Sequence, residues 1–157
     1  RTLEAHSLSS LRKKKALLAG IIRSNALLKS KVVQKDELEK GDRKLLNFGH
    51  TLGHAIETQY EISHGQAVSI GMHYACLLSE ALIGFKDTER VDNLLTQYGL
   101  PVDASFKLEK VLHIMKMDKK RMRNTIHYVL LKSIGKGVLH ELEFKQLEKL
   151  LQNIVKA

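Results

Sequence analysis

Apolar residues recur at roughly helical spacing near the start of the chain. Leu8, Leu11, Leu18, Ile22 and Leu28 predict one long helix over 7–34, with Ser7 as its N-cap. Residues 36–43 are charged and contain Gly41, which reads as a connection. A second helix is predicted from about Arg43 to Tyr60 and a third from about Gly65 to Ile83. The third is apolar on nearly every side (Val68, Ile70, Met72, Ala75, Leu77, Leu78, Leu82), which marks it as the central buried helix. A further helix runs from Thr88 to Tyr98, ended by Gly99 with Pro101 two beyond. Ser105 is the candidate cap of another that reaches about Met117. At 125–132 the pattern changes: Thr-Ile-His-Tyr-Val-Leu-Leu-Lys is β-branched and aromatic, a strand. The chain then turns over 133–137, and Val138–Glu141 pairs back as a hairpin. The last helix, from Glu143 to Val155, sets Phe144, Leu147, Leu151 and Ile154 along one face.

Composition narrows this picture. The 157 residues are 43% apolar, enough for one domain with its own core and too apolar for a disordered tail. A single cysteine, Cys76, rules out an internal disulfide framework and fits a reducing cytoplasm. It sits in the apolar run 70–82 and reads as a buried, inert thiol. No signal-peptide pattern and no apolar run near 18 residues is present, so no membrane span is expected. The net charge of +9 suits nucleic acid, a membrane surface or an anionic small substrate. Aromatics are only 5% and do not interleave with the basic residues, which argues against nucleic acid. The segment Gly135-Lys136-Gly137-Val138-Leu139-His140 starts like a dinucleotide fingerprint. It has His140 where the third glycine belongs and follows no βαβ unit, so it is a turn and not an NAD site. The chain begins at Arg1, which reads as a fragment or a processed chain.

The chemistry concentrates in Asn47-Phe48-Gly49-His50-Thr51-Leu52-Gly53-His54-Ala55-Ile56-Glu57 and in His64-Gly65. His50 and His54 are four apart, one turn above each other on a helix, and His64 follows a short polar break. Histidines gathered in this way can hold a metal or move protons on a substrate, although a pair four apart on a helix also arises often by chance and binds nothing. Gly49 and Gly53 each cost about 1 kcal/mol inside a helix, so bare backbone is needed there for a ligand or a neighbouring helix. Glu57 reads equally as an orienter of a neighbouring histidine and as an ordinary surface acid. His6, His113 and His127 carry no motif.

The run from Asp36 to Glu57 resembles 3-dehydroquinate synthase. So do His64-Gly65-Gln66-Ala67-Val68-Ser69-Ile70-Gly71-Met72, Leu28 to Val33, Asp118-Lys119-Lys120 and Val129 to Lys136. The resemblance covers the C-terminal, metal- and substrate-binding half of that family. It implies a mainly α, multi-helix domain with one small β-hairpin over 1–157, the N-terminal NAD-binding domain of the parent chain being absent. The implied activity is conversion of 3-deoxy-D-arabino-heptulosonate 7-phosphate to 3-dehydroquinate and phosphate in the shikimate pathway. NAD and a divalent metal, zinc or cobalt, would take part.

By the same resemblance His50 and His64 match the metal-binding histidines, and His54 a histidine beside the substrate. Lys29, Arg43 and Asn47 match substrate-contacting positions, and at least one of Lys119 and Lys120 reaches the substrate phosphate. The family's third metal ligand is an upstream glutamate that neither Glu4 nor Glu37 matches. The isolated chain is therefore expected to be inactive. Gln66 stands where the family usually has an acid, which removes a charge beside the metal site. The implied partners are the anionic sugar phosphate and the NAD-binding domain, with a homodimer left open and no nucleic acid or membrane. Rival readings are another sugar-phosphate cyclase of the 2-deoxy-scyllo-inosose or valiolone type, the glycerol dehydrogenase group, and a non-catalytic helical scaffold.

Overall fold

The computed structural model describes residues 1–103, 106–119 and 124–156, with the backbone alone at Asp118, Lys119 and Lys156. Helix α1, Leu8–Lys13, starts where Ser7 accepts a hydrogen bond from the Ser10 amide, as its N-cap position predicts. It does not continue to residue 34. The chain leaves helical geometry at Lys14 (φ −93°, ψ 70°), and α2, Lys15–Lys35, follows as a separate helix. Like charges at Arg12 and Lys15, three apart, weaken helical continuity there. No residue of α2 is buried, and Ile22 and Leu28 are each 60% exposed.

The predicted helix over 43–60 is also interrupted. Asp42–Asn47 forms a 3-10 segment, Gly49 takes a left-handed conformation (φ 78°), and α3 spans His50–Gln59. Gly49 is therefore not a glycine inside a helix but the joint that starts one. Helix α4, His64–Ile83, carries the core as expected. Its Ile70, Tyr74, Ala75 and Leu78 meet Leu52, Ala55 and Ile56 of α3 in one apolar cluster. Fully burying a side chain of this size contributes roughly 1.5–3 kcal/mol.

Helix α5, Thr88–Gln97, ends at Tyr98 and Gly99. It anchors the N-terminus. The Tyr98 hydroxyl and the Gln97 amide both donate to the Leu3 and His6 carbonyls, and Arg90 forks onto Glu4. Arg90, with the chain's terminal amine second, holds the Glu4 carboxyl at about 2. Residues 1–13 are thus oriented by α5, and the turn at Lys14 joins that direction to α2. His73 Nδ1 lies 2.9 Å from Asp92 Oδ2 and clasps α4 to α5, a pair nineteen residues apart that local pattern does not reveal.

Helix α6 spans Leu108–Lys119, and the cap expected at Ser105 lies outside the described residues. Strands β1, Thr125–Ser133, and β2, Lys136–Glu143, form the hairpin, antiparallel, with Tyr128 opposite His140 and Leu130 opposite Val138. Gly135 turns the chain (φ 85°), but the reading of 135–140 as a turn is corrected: from Lys136 on the segment is strand β2. The Ser79 hydroxyl donates to the Ala75 carbonyl and accepts from the Leu131 amide, which fastens β1 to α4. Helix α7, Phe144–Lys156, closes the core with Phe144, Leu147 and Leu151. Cys76 is fully buried and burial pushes its thiol up to about 12, so it is no nucleophile at neutral pH.

Candidate metal centre and substrate face

Two helix starts make the site. His50 is the first residue of α3 and His64 the first of α4. The second start is fixed by a capping box: Ser63 accepts from the Gln66 amide while Gln66 Oε1 accepts from the Ser63 amide and hydroxyl. Gln66 therefore works on the helix start rather than on the histidines.

The starts can approach because the backbones are bare where they meet. A Cβ built on Gly53 would lie 3.0 Å from the Ala67 carbonyl oxygen, and one on Gly71 would lie 1.9 Å from the Gly49 carbonyl oxygen. The expectation that these glycines admit a neighbouring helix is correct, and Gly71 is the third member of the contact.

This approach gathers His50, His54 and His64. Their ring centroids are 5.3, 5.5 and 5.8 Å apart, and one ligand nitrogen from each falls within 4.8 Å of the others. Zinc bound to nitrogen at about 2.0–2.1 Å in a tetrahedron sets its ligand atoms about 3.4 Å apart, within a small side-chain rotation of this arrangement. The donor set fits a divalent ion.

The three rings differ in what surrounds them. His50 Nδ1 is 3.1 Å from the Phe48 carbonyl oxygen and His64 Nδ1 is 3.0 Å from Glu57 Oε2. A carbonyl and a carboxylate both accept, so Nδ1 donates in each case and Nε2 is the free ligand atom. The His54 ring has no such partner among the described residues. Two of the imidazoles have Nδ1 engaged, and the third has no ring partner among the described residues.

Arg43 and Asn47 sit on the 3-10 segment just before α3 and gather round a residue the sequence reading missed. The Asn47 amide donates to Glu39 Oε1 at 2.7 Å, and Arg43 Nε is 3.9 Å from Glu39 Oε2 while its Nη1 donates to the Glu37 carbonyl. Glu39, at φ 54°, occupies a carboxylate position that both side chains recognise. Its distances of four and eight from Arg43 and Asn47 were the available signal. Asn47 also lines a groove of about 290 Å³ with Thr51 and His127. Larger grooves near Lys116 and Glu148 hold none of the three histidines.

Lys29 is exposed on α2, and among the described residues no hydrogen bond or ion pair joins it to the cluster. Lys119 ends α6 with its side chain undescribed, and Lys120 lies outside the described residues.

The loop that carries Arg43 is stapled by Asp36, whose carboxylate accepts from the amides of Lys40, Gly41 and Arg43 at 2.9, 2.8 and 3.0 Å. These amides, Arg43 foremost, hold its carboxyl below the usual aspartate value. A depressed value means the staple contributes fully above the ordinary pKa near 3.9 and is lost as pH falls through the lower folded value. Asp36→Asn is expected to raise amide exchange at Lys40, Gly41 and Arg43 roughly three- to tenfold at neutral pH, a range kept low by solvent exposure. Unchanged exchange would show that the loop holds itself without the charge.

The architecture is that of the sugar-phosphate cyclases. A 2-epi-5-epi-valiolone synthase from Streptomyces hygroscopicus subsp. jinggangensis, solved with NAD+ and Zn2+, superimposes with TM-score 0.79 at 21% identity over 99% of this chain and 45% of that one. A 2-deoxy-scyllo-inosose synthase complexed with carbaglucose-6-phosphate, NAD+ and Co2+ gives 0.66 at 25% identity over 80% of this chain and 39% of the other. Residues 1–121 match the family model described as 3-dehydroquinate synthase C-terminal, and the chain belongs to that family. The 3-dehydroquinate synthase of Methylacidiphilum infernorum is 44% identical over 79% of this chain, and that of Thermodesulfovibrio yellowstonii 39% identical over 95%. The chain spans 37% and 44% of the length of those two relatives.

Proposed function

We propose that the chain is the metal- and substrate-binding half of a cytoplasmic 3-dehydroquinate synthase, a carbon–oxygen lyase of the shikimate pathway. In this reading 3-deoxy-D-arabino-heptulosonate 7-phosphate is converted to 3-dehydroquinate and phosphate. The observation that carries it is the cluster of His50, His54 and His64 at two helix starts, with Nδ1 engaged on two rings and not on the third. His50 and His64 would hold zinc or cobalt through Nε2. When bound, the ion supplies positive charge that lowers the pKa of a substrate hydroxyl, and NAD supplies a hydride acceptor and donor.

The remaining work falls to this chain's own side chains. His54, uncommitted and one turn from His50, moves a proton at a ring nitrogen. Arg43 and Asn47 exchange their contacts with Glu37 and Glu39 for the substrate carboxylate and hydroxyls. Lys29 and the pair Lys119 and Lys120 supply cations for an anionic sugar phosphate. A domain preceding these residues binds most of the NAD and contributes the third metal ligand. The exposed apolar residues of α2 fit a chain that packs against more protein. Identities of 39–44% to 3-dehydroquinate synthases, against 25% to the inosose synthase, favour the heptulosonate substrate.

The test is phosphate release from the heptulosonate phosphate with NAD and zinc. Turnover is expected from the full-length protein and none from the 157-residue chain. Multiple turnover by the chain alone would place the cofactor site within these residues. Release from a hexose phosphate instead would favour an inosose-type cyclase.

A further inference from the structure

Glu57 lies on α3, one turn beyond His54 and on the strand of chain that leads into α4. Its carboxylate does not point along its own helix to His54. It crosses to the first residue of α4, with Oε2 at 3.0 Å from His64 Nδ1. The carboxylate is itself only partly exposed (36%), while the histidine side chain is 56% exposed. His64 is exposed and stands at a helix start with open space around Gly65 beside it. An exposed imidazole in that position samples several rotamers and both tautomers. In water the neutral ring favours the proton on Nε2, the nitrogen a metal would need bare.

We infer that Glu57 is a positioning residue that holds His64 in the Nδ1–H tautomer and aims its Nε2 at the metal. The inference rests on the reading of His50 and His64 as metal ligands. It extends that reading to Glu57, the acid that touches the His64 ring. The Phe48 carbonyl does the same for His50, but a backbone oxygen is placed by the fold, whereas Glu57 is a side chain that substitution can remove. Gln66, next but one to His64, is turned to Ser63, so the negative group beside His64 comes from α3. Outer partners of metal-bound histidines fix ring orientation and raise ligand basicity, and losing one costs about 10- to 100-fold in metal affinity.

Two readouts on the full-length protein, in which the third metal ligand is present, test this. Imidazole nitrogen NMR on metal-free protein reports the tautomer of His64, and cobalt titration followed by absorbance reports affinity. Wild type should show His64 protonated at Nδ1. Glu57→Ala should shift that ring toward the Nε2–H form and weaken cobalt binding about 10- to 100-fold. Glu57→Gln, whose amide oxygen still accepts from Nδ1, should keep the tautomer and most of the affinity. His50→Ala should lose cobalt binding while leaving the His64 tautomer unchanged. If His50→Ala abolishes binding but Glu57→Ala leaves tautomer and affinity as in wild type, Glu57 has no positioning role and the metal reading stands. If His50→Ala and His64→Ala both bind cobalt as wild type does, the metal reading falls and this inference falls with it.

Discussion

Replacing His50 or His64 by alanine in the full-length protein is expected to abolish metal-dependent turnover, whereas His54→Ala should keep the metal and slow the reaction roughly 100- to 10,000-fold. The asymmetry follows from hydrogen bonding. His50 and His64 each present Nε2 because Nδ1 is engaged by the Phe48 carbonyl and by Glu57. Catalytic zinc sites use three protein ligands, so losing one of two from this domain leaves too few to retain the ion. His54 lies within the same cluster, with its ring nitrogens uncommitted among the described residues. Ring proximity alone would allow all three to bind; the pattern of partners separates them.

Gly71→Ala is the second change expected to have a large effect. A methyl at Gly71 would lie 1.9 Å from the Gly49 carbonyl oxygen and 2.9 Å from the Gly53 amide nitrogen. These are backbone atoms, so no rotamer change relieves the overlap and α3 must move off α4. Alanine gains about 1 kcal/mol over glycine in a helix interior. Overpacking a tight contact costs about 1–3 kcal/mol and more when backbone must shift, so the clash wins. Gly65, in the same helix, meets nothing within 4 Å and is the control. Thermal unfolding should show Gly71→Ala less stable and Gly65→Ala equal or slightly more stable. Because Gly49 immediately precedes His50, Gly71→Ala should also weaken metal binding. Equal melting of the two variants would mean that the glycine contact does not hold the helices.

The elements most legible in the sequence were those whose pattern is local. The all-apolar run of α4, the β-branched and aromatic residues of β1 and the one-sided face of α7 need no distant information. The hairpin extended further than read, Lys136–Glu143 rather than Val138–Glu141. The misreadings at Lys14 and Gly49 share a cause. Helical periodicity continues through both, but Lys14 turns because Glu4, Leu3 and His6 are held by α5 about ninety residues away. Gly49 breaks the second helix because its carbonyl must lie against Gly71. Neither constraint exists within a local window. At the site, spacing showed that three histidines could meet, and the resemblance supplied distinct roles for them. Glu39 offered only its spacing from Arg43 and Asn47 as a signal, and the partner of Glu57 was legible only once the α3–α4 turn was in place.

The central claim, that His50 and His64 hold the metal while His54 serves the substrate, is tested most directly by one paired measurement. Metal content per chain and phosphate release are determined together for the full-length wild type and for His50→Ala, His54→Ala and His64→Ala. The expected result is loss of metal and of rate in the first and third variants, with metal retained and rate reduced in His54→Ala. An empty site in His54→Ala with a filled one in His50→Ala would reverse the two roles, and no change in any of the three would contradict the site altogether.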